Sequence, residues 1–193
     1  MQYDAGRIRE VLLTMLTQAA IDFDMWMSMR NARANEEVRV LINKHYAQFY
    51  GSAENAFFNS LVTILYAVFE SRKNTANFWN LRRTISEDAD PVVLTEIEKQ
   101  YTDIKIIWKR IGIIRNEVVG HQTLERTRAE SHEVASLTIS DLKEMIKKCQ
   151  ELLFDIARKF HDVHVVFNLR GAETFERLIE DLRFQETRKA DFL

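Results

Sequence analysis

Residues 101–122 read YTDIKIIWKRIGIIRNEVVGHQ. Within them Tyr101, Ile104, Trp108, Ile111, Arg115 and Val118 recur at alternating spacings of three and four, which sets them on one stripe of an α-helix. Arg115 therefore stands where a core residue belongs. A guanidinium is always charged and costly to bury unpaired, so an arginine in this seam needs a partner, a hydrated crevice or an anionic ligand. One such partner is a carboxylate such as Glu70, at the end of an earlier apolar run. His121 lies six positions on, about 240° round an uninterrupted helix and so away from Arg115. Gly120 suits the left-handed residue that ends helices, and a turn there brings His121 back toward Arg115 or presents it to a second copy of the chain.

Outward from this stretch, one proline and five glycines in 193 residues leave long uninterrupted periodic segments, which favours an all-α fold, a bundle of six or seven helices. The expected helices run from about Asp4 to Arg30, Asn35 to Phe49, Ala53 to Ser71, Thr75 to Ile85, Pro91 to Val119, Leu142 to Val165 and Glu173 to Phe184. Gly51-Ser52 reads as a break before the third, which is apolar nearly all round and is placed at the bundle centre. Asp90-Pro91 and Thr138-Ile139-Ser140-Asp141 are helix starts, with a capping side chain before the first turn. Gly112 offers a close approach to another helix. The stretch from His121 to Leu137 is polar, without apolar period, and reads as a loop or frayed helix; 163–167 reads as helix, with a short strand as the alternative. Met25, Trp26, Met27 and Met29 suit core or dimer packing, or an adaptable binding surface.

A composition 46% apolar and 29% charged describes one soluble globular domain over residues 1–193, in which 173–193 can form a C-terminal appendage. No run approaches eighteen apolar residues and the N-terminus has mixed charge, so neither a membrane span nor a signal peptide is expected, and the protein is placed in the cytoplasm. Cys149 is the single cysteine. It excludes an intramolecular disulfide or a cysteine metal cluster, and reads as a small buried hydrophobe.

The net charge of −2 argues against an indiscriminate nucleic-acid coat, but charge is uneven. Between Lys105 and Arg128, six basic residues (Lys105, Lys109, Arg110, Arg115, Arg126, Arg128) meet two acidic ones, Glu117 and Glu125, a local excess of +4. Lys109, Arg110, Arg126 and Arg128 suit an RNA backbone, or simply a solvated face. Arg115, Asn116 and His121 supply a permanent cation, a neutral amide and a titratable imidazole within seven residues. That set suits phosphodiester cleavage: arginine grips phosphate through two parallel hydrogen bonds, while histidine moves protons near neutral pH. In RNA the 2′-hydroxyl itself attacks, so this chemistry requires no metal or other cofactor. His161-x2-His164 has metal-pair spacing but lacks a third ligand. His45 and His132 read as surface or packing histidines.

Arg115-Asn116-x4-His121, at the end of a long helix in an all-helical chain, resembles the Arg-x(4–6)-His signature of the HEPN superfamily. His45-Tyr46-Ala47-Gln48-Phe49-Tyr50-Gly51 leading into 57–70 further resembles its abortive-infection, AbiU-type branch, a likeness extending over about residues 40–155. The resemblance implies a bundle that dimerises so that two motifs share a cleft and act as a metal-independent endoribonuclease, of toxin or antiphage type. Arg115 would bind the scissile phosphate, Asn116 would orient the pair and His121 would transfer protons, giving a 2′,3′-cyclic phosphate and a 5′-hydroxyl. In the bundle expected from the periodicity, Glu70 ends the third helix close to the motif, either supporting it or merely terminating that helix. The implied partners are RNA, a second copy and an antitoxin or defence protein. A subgroup of toxins controlled by nucleotidyl transfer carries tyrosine two positions after the histidine; Thr123 stands there in this chain. The alternative is a non-catalytic helical dimer that binds a partner protein or nucleotide.

Overall fold

The computed structural model describes residues 4–85, 89–120, 126–167 and 171–190, with the backbone alone at 171, 172, 174 and 185–190. Side-chain caps satisfy the unpaired amides at most of its helix starts. Helix α1 (Ala5–Ala32) opens on Asp4, which accepts from the Arg7 amide, and α2 (Glu36–His45) opens on Asn35, which accepts from Val38. Helix α3 (Ala47–Ala67) begins without a side-chain cap. Asn77 caps α4 (Phe78–Arg82), and Asp90 caps α5 (Pro91–Ile114) with Pro91 in the first turn. Capping boxes open α6 (Arg128–Ala135), through Thr127 and Glu130, and α7 (Ile139–His161), through Thr138 and Asp141. Helix α8 spans Gly171–Ala190. Among the described residues there is no strand, and no helix is long and apolar enough to cross a membrane.

Helix α1 packs against α3 and α7, and α5 packs against the same two, so the four long helices close into a bundle. Leu12, Leu16, Leu61, Leu65, Ile104, Ile111, Met145 and Leu152 fill it and are withdrawn from solvent. Cys149 is part of this core, and burial pushes its thiol far above the usual range, so it behaves as a hydrophobe. Beside the bundle, α8 leans on α1 and lays Phe175 into a smaller cluster with Met29, Val38, Ile42 and Tyr50.

The described residues hold eight α-helices where six or seven are expected, and several features differ from the sequence reading. Helix α3 runs straight through Gly51-Ser52, and the break falls at Tyr46; the cost of one interior glycine, about 1 kcal/mol, is too small to stop a helix anchored by packing. That anchor includes the Tyr50 hydroxyl, which donates to the Met29 carbonyl at 2.6 Å. Apart from Tyr50, the buried residues of α3 are in its second half, Leu61, Val62 and Leu65, while Phe49 is exposed. A polar stretch read as loop or frayed helix holds α6, whose buried residues are Ser131 and Ala135. Helix α7 stops at His161 because Asp162 turns left-handed at φ 49°, and 163–167 are neither helix nor strand.

Arg110 ties three elements together. Its guanidinium meets both oxygens of Asp141 at 2.9 and 3.0 Å, and its Nε donates to the Ala135 carbonyl at the end of α6. The same Asp141 carboxylate caps α7 through Thr138. Burial pushes the Asp141 carboxyl upward, but hydrogen bonds from Thr138 and Arg110 outweigh it and hold the group below its ordinary range. A carboxyl depressed by folding contributes stability above its unfolded pKa and loses it as pH falls toward the lower folded value. Asp141→Asn should therefore cost about 1–2 kcal/mol in urea unfolding at pH 7. Below about pH 4, where the natural carboxyl also protonates, the difference between the two proteins should shrink.

Candidate functional site at the end of helix α5

Helix α5 does not end at Ile114. It widens into a π turn over Arg115–Gly120, closed by i→i+5 hydrogen bonds, a distortion found mostly as single turns and often at functional sites. The apolar stripe leads into it, with Tyr101, Ile104 and Ile111 buried and Trp108, Arg115 and Val118 half-buried. Arg115 is thus at the boundary between core and solvent.

The conflict posed by its charge is resolved without a carboxylate among the described residues. The guanidinium carbon lies 5.2 Å from the centre of the Tyr66 ring, on α3, a distance at which a cation is attracted to an aromatic face. Its Nη1 donates to Asn116 Oδ1 at 3.0 Å. Tyr66 in turn stacks on Trp108, with centroids 5.4 Å apart and planes 18° from parallel, and the Trp108 indole N–H donates to the Tyr66 carbonyl at 2.9 Å. Guanidinium, phenol and indole form one sequence of contacts fixed by the packing of α3 on α5.

The two glycines of this segment differ in what they allow. A Cβ on Gly112 would meet the Tyr66 ring at 3.4 Å, so α3 does approach closely there, at ordinary contact. A Cβ on Gly120 would stand 2.9 Å from the Arg115 carbonyl oxygen and 3.6 Å from Arg115 Nη1. The expected left-handed turn at Gly120 is not observed, since no described glycine has positive φ. Glycine is favoured there because the Arg115 carbonyl oxygen occupies the space of a Cβ, while the guanidinium stands at ordinary contact distance.

Glu117, from the same π turn, accepts from Arg126 Nη1 and from the buried Ser131 hydroxyl of α6, both at 2.8 Å. It thereby pins both Arg126, where the chain returns, and α6 against the motif. The basic residues of the sequence patch consequently separate. Arg126 is paired with Glu117 and Arg110 with Asp141. Lys109 and Arg128 are exposed. Glu70, expected near the motif, is instead paired with Arg72 at 3.4 Å, and its neighbour Phe69 packs on Tyr101, several turns before Arg115. His121 lies outside the described residues. His161 contacts Thr84 at 3.3 Å, at the far end of α7.

Three participants were not singled out from sequence: Tyr66, Glu117 and Ser131. Tyr66 is the fourth residue before Glu70 in an apolar run, and nothing local distinguishes it from its neighbours. Glu117 carried a usable signal, as one of two acidic residues inside a basic stretch.

An all-helical bundle with Arg115-Asn116 at the end of a long core helix, followed by a histidine five positions after the asparagine, defines a HEPN-type domain. The family model for AbiU2 matches residues 3–178, and the chain belongs to this AbiU2 family of HEPN domains. No curated protein and no solved structure matches it.

Gly112→Ala should be neutral or stabilising by up to about 1 kcal/mol, as a helix-interior glycine replaced without a clash. Gly120→Ala should cost about 1–3 kcal/mol, because the backbone carbonyl of Arg115 must move. Parallel urea unfolding of the two variants tests the assignment, which fails if Gly120→Ala is as mild as Gly112→Ala.

Proposed function

We propose that this AbiU2-family domain is a metal-independent endoribonuclease of the abortive-infection type, a toxin or antiphage component that works as a pair of chains with the two motifs facing one shared cleft. The observation that carries the reading is the state of Arg115: half-buried, oriented by an aromatic face and a neutral amide, and engaged with no carboxylate among the described residues. A cation held in this way keeps its full charge and its remaining N–H groups for an anion. Asn116 fixes its orientation. His121 and its counterpart supply proton transfer.

The chemistry balances within the substrate. A base removes the 2′-hydroxyl proton, and the 2′-oxygen attacks the adjacent phosphorus. The bond to the 5′-oxygen of the next nucleotide breaks, and that oxygen takes up a proton. The products are a 2′,3′-cyclic phosphate and a 5′-hydroxyl. Arg115 counters the charge that builds on the equatorial oxygens as the phosphorane forms, the kind of contribution whose removal costs about 10²–10³ in rate. The reading invokes no cofactor, and its partners are RNA, a second copy and an antitoxin or defence-system protein.

The contact with Tyr66 supports a second reading, in which Arg115 is a structural link between α5 and α3 in a non-catalytic dimer. The two part on one comparison. In single-stranded RNA with chelator present, Arg115→Ala and His121→Ala should each lower cleavage at least a hundredfold, with little change in melting temperature for His121→Ala. DNA of the same sequence should remain intact. Residual cleavage equal to the unaltered protein in both variants refutes the ribonuclease reading, and a large fall in stability of Arg115→Ala without any RNA cleavage by the unaltered protein favours the structural one.

A further inference from the structure

A cavity of about 290 Å³ opens between α1, the first half of α3, α6 and the start of α7. Its wall is aromatic: Trp26 and Phe58 lie with centroids 5.2 Å apart, and His132 from α6 lies over Phe58 at 6.4 Å. Its charge comes from two exposed guanidiniums. Arg30 lies over the Trp26 ring at 5.1 Å, and Arg128 stands in the first turn of α6. The acid in this lining, Glu54, is paired with Arg33 at 2.9 Å. Burial and the neighbouring Arg128 hold the His132 imidazole below its ordinary range, so at neutral pH it adds a ring rather than a charge. Asn55, also in the lining, donates to the Gly51 carbonyl through Nδ2.

Aromatic faces beside guanidiniums are the combination that single-stranded nucleic acids select, one for the base and the other for the backbone. The volume is at the lower limit for ligand sites, enough for one planar base and too small for a partner helix. The cavity is also joined to the motif. On α6, Ser131 bonds Glu117 of the π turn while the next residue, His132, faces Phe58. On α3, Phe58 precedes Tyr66, which bears Arg115, by eight residues, about 12 Å along the helix.

We propose that this cavity holds one unpaired nucleotide of the RNA strand presented to Arg115, its base against Phe58 and Trp26 and its phosphate between Arg30 and Arg128. The proposal rests on the ribonuclease reading for its choice of RNA. It makes the enzyme selective for unpaired strands, because a base held in a duplex stack cannot enter.

The test uses a fluorescent single-stranded 2′-O-methyl RNA hexanucleotide, inert to 2′-oxygen attack, and the full chain. Fluorescence anisotropy should show affinity falling several-fold in Arg30→Gln and in Arg128→Gln, with a shallower dependence on salt in each, by about 0.7 per lost phosphate contact. Replacing one nucleotide by an abasic unit should weaken binding about tenfold. That loss should largely disappear in Phe58→Leu, a variant whose fold is checked by its melting temperature. Wild-type affinity in both arginine variants, or equal binding of intact and abasic strands, overturns the proposal. Cleavage of unmodified RNA in chelator, alongside unchanged affinities, removes the cavity site and leaves the ribonuclease. Base-dependent binding without cleavage does the reverse.

Discussion

A permanent charge in an apolar seam is the constraint on which the rest of this structure turns. Pairing Arg115 with a carboxylate would have satisfied it, and would also have neutralised it. Among the described residues, the fold instead lays the guanidinium on the Tyr66 ring and gives one N–H to the Asn116 amide. Both partners are neutral, so the cation is steadied while keeping its charge. Tyr66 can serve only because Trp108 backs its ring and bonds its carbonyl, and because Leu61, Leu65, Ile104 and Ile111 hold α3 against α5. The position of one charge is thus a readout of how two core helices pack.

Much of this arrangement was legible in the sequence, for identifiable reasons. The stripe from Tyr101 to Val118 was visible because three-and-four spacing is a local property, and Asp90-Pro91 and Thr138 marked helix starts because caps act within one turn. What was hidden was tertiary. Tyr66 lies far from Arg115 along the chain, and the sequence of a π turn differs little from that of an ordinary helix end. Helix α6 was passed over because it buries only Ser131 and Ala135 and so has no apolar period, although Thr127 and Glu130 form the capping box that starts it. Gly51 misled in the opposite direction, its local cost overridden by the packing of Tyr50.

The basic stretch shows the same limit in its charges. Counted along the chain, it is an excess of positive residues; in space, Arg110 and Arg126 are already matched by Asp141 and Glu117. What a count presents as a patch is therefore partly scaffold, two ion pairs that hold α6 and α7 to α5. Beyond these pairs, Lys105 and Lys109 are exposed one turn apart on α5 and Arg128 is exposed on α6. An anion approaching this face meets separated points of charge whose spacing the fold has set.

Asp141 has a consequence for how the domain opens and closes. Its carboxylate both begins α7 and receives the Arg110 fork from α5. A helix start is ordinarily a local event, free to fray and re-form on its own. Here the first turn of α7 cannot loosen without releasing its hold on α5 at Arg110, just over one turn before the motif begins. The cap thereby joins two elements into one cooperative unit, in which fraying at the start of α7 is resisted through the same end of α5 that leads into Arg115.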